Sequence, residues 1–232
     1  MLIPLRDHNP RRHFPVVTVV LIALNVIVFL WELTLPDDAR QALALSAGAI
    51  PREITTLRDV PPPNLLPVPF GVLTSMFLHG GFLHLLGNMW FLWLFGDNLE
   101  DRQGSVRFLI FYLFTGVIGA VAQSFMMPRS LVPMIGASGA VAGVLGGYVL
   151  TFPHARVTAL IPIPLLWPTA ALPAWIFLGI WFVSQFFIGA GSGIAWMAHV
   201  GGFLAGIAVV RLLSPPLRAE DAVDDYVAPP PA

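Results

Sequence analysis

The chain contains no cysteine and no lysine, and charged residues make up only 11% of its 232 positions. Absence of cysteine excludes disulfides and thiolate metal sites and leaves the redox compartment unreadable. Absence of lysine, with all 12 basic residues arginine, reads as compositional bias rather than mechanism. The shortage of charge matters more. Soluble domains carry about 25% charged residues. A chain this poor in them, 56% hydrophobic with a mean hydropathy of +0.78, cannot build a water-facing surface. Its solvent is lipid. A net charge of −1 argues against a nucleic-acid or polyanionic partner. A cleavable leader is not expected either. Arg6, Arg11 and Arg12 precede an apolar run that is too long for one and lacks a small-residue cleavage site.

What the chain has instead is long apolar runs. A bilayer-crossing helix needs about 20 mostly apolar residues, and six stretches are read as spans: Val16–Leu35, Phe77–Phe95, Phe108–Met127, Ile135–Phe152, Pro173–Ile188 and Ile194–Leu213, the last three bounded by glycine or proline and somewhat short. The expectation is an all-α membrane protein, a six-helix transmembrane bundle over residues 16–213. A cytoplasmic segment, 1–15, precedes it. A disordered tail, 214–232, follows, with Glu220, Asp221, Asp224, Asp225 and three closing prolines. The connection Pro36–Pro69 is too polar and proline-rich to span, and Ala39–Ile50 within it reads as a short interfacial helix. With the N-terminus in the cytoplasm, the inner side collects Arg6, Arg11, Arg12, Arg102, Arg107, Arg156, Arg211 and Arg218. The outer side collects Arg40, Arg52, Arg58 and Arg129. The excess of arginine inside favours both termini in the cytoplasm. The second, fourth and sixth spans then all enter from the outer face.

That orientation gathers the polar residues at one depth, shallow beneath the outer surface. His84 and Asn88 lie early in the second span, Ser138 opens the fourth, and His199 lies one turn into the sixth. Each has a bland reading beside a chemical one. Ser138, among Gly136, Gly139, Gly143, Gly146 and Gly147, belongs to the small-residue surface by which membrane helices pack. It is also a hydroxyl at a helix N-terminus, where free backbone N–H groups can meet an oxyanion. His199, beside Gly201, Gly202 and Gly206, either hydrogen-bonds a neighbouring helix or takes a proton from Ser138 and returns it to a leaving amine. His84 and Asn88, four apart, share one helix face and either bridge helices or donate to the oxyanion. His79 reads as structural, bonding the long outer loop. A zinc site from His79, His84 and His199 is the competing constellation, against the five-residue spacing of the first two. No carboxylate lies in the fourth or sixth span, and Glu32, Asp97, Glu100 and Asp101 sit at edges or on the inner side. A Ser–His dyad without an acidic third member is expected.

Four motifs in order carry a family resemblance. They are His79-Gly-Gly-Phe-Leu-His84-Leu-Leu-Gly-Asn88, Gly96-Asp-Asn-Leu-Glu100-Asp-Arg102-Gln-Gly104, Gly136-Ala-Ser138-Gly139 and Ala198-His199-Val-Gly201-Gly202. Over essentially Val16–Leu213 the chain resembles the rhomboid intramembrane serine proteases of the bacterial six-helix type. The resemblance implies Ser138 as nucleophile, His199 as general base, and His84, Asn88 and the Ser138 backbone N–H as oxyanion donors. It makes His79, Glu100, Arg102, Gly136, Gly139 and Gly202 structural motif residues. It implies no cofactor and no metal, transmembrane proteins as substrates, and a multi-pass protein of the bacterial inner membrane. Some family members carry an aromatic residue four positions after the nucleophile, packed on the histidine; here that position is Ala142, which leaves Trp196 as the candidate support for the ring. A Trp-Arg pair found in the first outer loop of some members is also missing. The fifth span, with Trp175, Phe177, Trp181, Phe182, Phe186 and Phe187, reads as a lipid-facing aromatic surface or as a lateral gate. A rhomboid-like protein that binds membrane clients without cutting them is the alternative reading. A small transporter is a third, with neither inverted halves nor an intramembrane carboxylate to support it.

Overall fold

The computed structural model describes residues 2–59, 67–163, 166–188 and 194–214. Most of the 214–232 tail lies outside them. In chain order the described elements are β1 (Ile3–Asp7), α1 (Val16–Glu32), α2 (Asp37–Ala47), α3 (Pro51–Thr56), α4 (Val68–Ser75), α5 (Phe82–Gln103), α6 (Ser105–Met126), α7 (Ser138–Thr151), β2 (Arg156–Leu160), β3 (Thr169–Pro173), α8 (Ala174–Ile188) and α9 (Trp196–Leu213). Every one of the six apolar stretches holds a helix, with shifted ends. Among the described residues, only α6 and α9 are long and apolar enough by themselves to cross a membrane; α1, α7 and α8 are apolar but shorter. The helix of the second stretch, α5, starts five residues later than expected, after Gly80-Gly81. It runs on through the polar Asp97–Gln103 to Gly104, whose φ of +80° ends it.

Helix α7 is the axis of the molecule. Its residues from Gly139 to Tyr148 are all buried, the pattern of a helix surrounded on every side by protein. Glycines make this possible. A Cβ on Gly202 of α9 would lie 2.0 Å from the Gly139 carbonyl oxygen, and one on Gly206 2.1 Å from that of Gly143. The two backbones therefore touch, the close approach by which membrane helices gain packing where no hydrophobic force drives them together. Large apolar side chains of the outer helices face away from the core, among them Leu24 and Ile27 of α1 and Val106 and Ile110 of α6.

The end of the bundle that holds the N-terminal segment departs from the all-α expectation. The three strands form an antiparallel sheet in the order β1-β2-β3. Val157 and Ala159 of β2 alternate inward and are fully buried, a short period-two pattern in the connection between the fourth and fifth apolar stretches. Strand β3 runs directly into α8. The N-terminal segment is built into the fold. Trp90 Nε1 donates to the Pro4 carbonyl at 2.7 Å, and the Tyr148 hydroxyl donates to Asp7 at 2.7 Å. Asp101 accepts from the backbone N–H groups of Arg12 and His13. Glu100 accepts from the backbone N–H groups of Val17 and Thr18, the Thr18 hydroxyl and the Ser105 hydroxyl. One carboxylate thus caps the start of α1 and ties it to α5 and α6.

At the opposite end, the connection after α1 folds into α2, α3 and α4, where a single short helix was expected over Ala39–Ile50. It stops at Gly48, and an antiparallel bridge then joins Ala49 to Met134. The Gly136 N–H donates to the Ser75 carbonyl at 2.8 Å. The chain entering α7 is therefore held on both sides.

Candidate active site

Three helices deliver the four polar residues to one cavity of about 930 Å³. Its lining includes His84 and Asn88 from α5, Ser138 from α7 and His199 from α9. Ser138 is the first residue of α7, and no side chain caps that helix. The leading N–H groups of any α-helix lack intrahelical partners, so here they accompany the hydroxyl at the cavity wall. Gly136, two residues earlier, has φ +122°, a conformation that side chains resist. A Cβ there would also lie 2.6 Å from two atoms of the His84 ring and 3.7 Å from Asn88 Nδ2. Glycine at this position lets His84 and Asn88 reach the segment that presents Ser138.

Asn88 is buried, and its Nδ2 donates to His79 Nε2 at 3.2 Å. The amide carries a second hydrogen, which this contact leaves unused. The His79 ring meets the His84 ring edge-on at 5.1 Å, and the His79 backbone N–H donates to Glu32 at 3.3 Å. His79 therefore stands behind Asn88 and outside the cavity lining, bonded to the side chain in front of it and to the end of α1. Among the described residues, no three histidines or carboxylates are grouped to share a metal ion.

His199 lies in the first turn of α9. Its Nδ1 is 2.7 Å from Gln185 Oε1 on α8, and its ring lies 6.1 Å from that of Trp181. Trp196, the residue expected to support the ring, packs against Phe186 at 5.7 Å instead. The helix carries it past the histidine: three residues span most of a turn, while Trp181 arrives from the neighbouring helix. The aromatic residues of α8 divide by face. Phe177 is buried and Phe182 stacks on Phe203 at 4.7 Å, while Trp175 and Phe187 are exposed. A second glutamine, the buried Gln123 of α6, accepts the Met197 N–H at 2.9 Å and so holds the first turn of α9. Neither glutamine stands out as reactive in the sequence. The signal was an amide inside an apolar run, which in a membrane needs a partner.

A family model of the rhomboid domain matches residues 69–216. Relatives agree with it. Rhomboid-like protease 3 of Toxoplasma gondii is 31% identical over 60% of this chain and 49% of its own length. Rhomboid protein 1, mitochondrial, of Saccharomyces cerevisiae is 32% identical over 59% of this chain and 39% of its own. Rhomboid protease GluP of Bacillus subtilis is 43% identical over 32% of this chain and 14% of its own. The chain thus spans half or less of the length of these relatives. The matched region runs from α4 to the end of α9 and takes in every residue that lines the cavity from α5 to α9, so the chain belongs to the rhomboid family of membrane proteins.

Proposed function

We propose that this protein is an intramembrane serine protease, cutting peptide bonds in or near the transmembrane segments of other membrane proteins. The observation that carries the reading is the convergence of Ser138, His199, His84 and Asn88, from three separate helices, on one cavity. His199 takes the Ser138 hydroxyl proton as Oγ attacks the scissile carbonyl carbon. His84, Asn88 and the Ser138 backbone N–H donate to the oxygen that becomes negative. The tetrahedral intermediate collapses as His199 returns the proton to the leaving amine, and water hydrolyses the acyl-enzyme by the same steps. Neither metal nor cofactor takes part.

The bundle crosses the bilayer six times, with α1 and α5–α9 as the spans. Both termini are cytoplasmic, as the arginine excess favours, in a bacterial inner membrane. The shorter apolar helices suit a site placed shallow under the outer surface. Water enters there because protein, not lipid, walls the cavity. A substrate helix must unwind before its peptide bonds are accessible, so glycine or proline near the cut lowers the cost.

The test is labelling with a fluorophosphonate, alongside cleavage of a transmembrane model substrate in liposomes. Wild type is expected to label and cleave, and Ser138→Ala to do neither. Equal cleavage by Ser138→Ala would sink serine catalysis. A folded wild type that binds substrate but neither labels nor cuts would establish the client-binding alternative.

A further inference from the structure

Gln185 is part of no motif and makes no proton transfer, yet it is 2% exposed and touches the proposed base. Its amide has a determined orientation. Nε2 donates to the Trp181 carbonyl oxygen at 3.0 Å, and a carbonyl can only accept. That contact fixes Oε1 on the other side, 2.7 Å from His199 Nδ1. An amide oxygen also only accepts, so Nδ1 must carry the hydrogen. A neutral imidazole with its hydrogen on Nδ1 has its lone pair on Nε2, the nitrogen that remains to take the Ser138 proton.

We propose that Gln185 is the positioning residue for His199, selecting the reactive tautomer and holding the ring, in the place where other serine hydrolases use a carboxylate. The inference rests on the Ser138–His199 reading and deepens it. When Nε2 accepts the serine proton, the ring becomes an imidazolium with two N–H groups. The Nδ1–H bond to Gln185 then becomes charge-assisted and strengthens. The stabilisation grows with the developing charge, so it belongs to the transition state more than to substrate binding. A neutral acceptor is suited to this depth, because a carboxylate left in the apolar interior between catalytic cycles would be costly. Trp181 supplies the rest of the support from the same helix, one turn earlier on the same face. The histidine is thus held by α8, not by the helix that carries the nucleophile.

The experiment compares Gln185→Leu and Gln185→Glu with wild type and Ser138→Ala, in liposomes, on protein matched for monodispersity and melting temperature. Leucine removes the acceptor at similar volume, and glutamate keeps it. Gln185→Leu is expected to lower kcat about ten- to a hundredfold, the worth of one hydrogen bond to a charged group, with KM nearly unchanged. Gln185→Glu is expected to stay within about threefold of wild type, as restoring the acceptor requires. The acid limb of its pH profile should move to higher pH, because an anion at Nδ1 favours the imidazolium. Full activity in Gln185→Leu overturns the proposal. So does an equal loss in both variants with the pH profile unmoved, which would mark Gln185 as a packing residue. Cleavage by Ser138→Ala would instead bring down the serine mechanism on which the proposal stands.

Discussion

Ser138 and His199 act in the proposed mechanism as one unit, since the serine without its base is a weak nucleophile and the base without the serine has nothing to activate. Ser138→Ala and His199→Ala are each expected to abolish cleavage of a model substrate, and the double variant to be no worse than either single one. Additive losses in kcat would mean that the two residues serve separate steps. Asn88 serves a different term. Asn88→Ala is expected to lower kcat by roughly ten- to a thousandfold with little change in KM. Its effect is bounded because His84 and the N-terminus of α7 remain as donors. A steady-state analysis showing a raised KM with unchanged kcat would place Asn88 in substrate binding. These polar residues were legible in the sequence because each interrupts an apolar run where burying a hydroxyl, an imidazole or an amide carries a cost. Gln185 was not. An amide neither titrates nor attacks, and its value comes only from a contact 14 residues away, made after α8 and α9 have packed.

At the scale of elements, the small-residue motifs are not equivalent. A Cβ on Gly202 would sit 2.0 Å from the Gly139 carbonyl oxygen, a backbone atom that cannot step aside without moving α7 against α9. A Cβ on Gly139 meets nothing closer than the Ala198 carbonyl oxygen at 3.6 Å, an ordinary contact. Gly202→Ala is therefore expected to destabilise the protein by at least about 2 kcal/mol. Gly139→Ala should change stability by less than about 1 kcal/mol. Both values are to be read from equilibrium unfolding in detergent. Equal effects would mean that the helices can part freely. The sequence marked both glycines as packing residues but could not rank them, because the difference lies in which side of each helix its neighbour occupies. The late end of α5 has a different cause. Hydropathy stops at the polar Asp97, but the hydrogen-bonded helix continues, because the four groups that donate to Glu100 and the N–H groups that donate to Asp101 repay keeping these carboxylates helical.

For the molecule as a whole, the sheet joins segments that the sequence alone kept apart: the N-terminal strand, the hairpin between α7 and α8, and helices α5 and α7, whose Trp90 and Tyr148 bond the N-terminal strand. Its strands were hidden from a hydropathy reading because β1, β2 and β3 are five residues each, too short to establish a period of two against the long helical runs around them. Asp7 is the titrating group at this junction. Burial pushes its carboxyl up from 3.8 to about 7. The Asn9 backbone N–H and the Tyr148 hydroxyl oppose the shift, and the charge of Asp97 adds to it. With the folded-state value above the unfolded one, the native protein binds more protons than the unfolded chain between about pH 4 and pH 7. Stability from this group is therefore full below that window and falls as pH rises through it, opposite to the usual carboxylate held by a cation. The melting temperature of wild type is expected to fall by several degrees between about pH 5 and pH 7.5. Asp7→Asn keeps an acceptor for the Tyr148 hydroxyl and removes the titration, so its curve should be flatter over the same range and lie above wild type at the alkaline end. Matched thermal scans across the range decide it. Parallel curves for the two proteins would mean that Asp7 is hydrated and ionised in the native state, and that the N-terminal strand is not held down onto α7 as the structure has it.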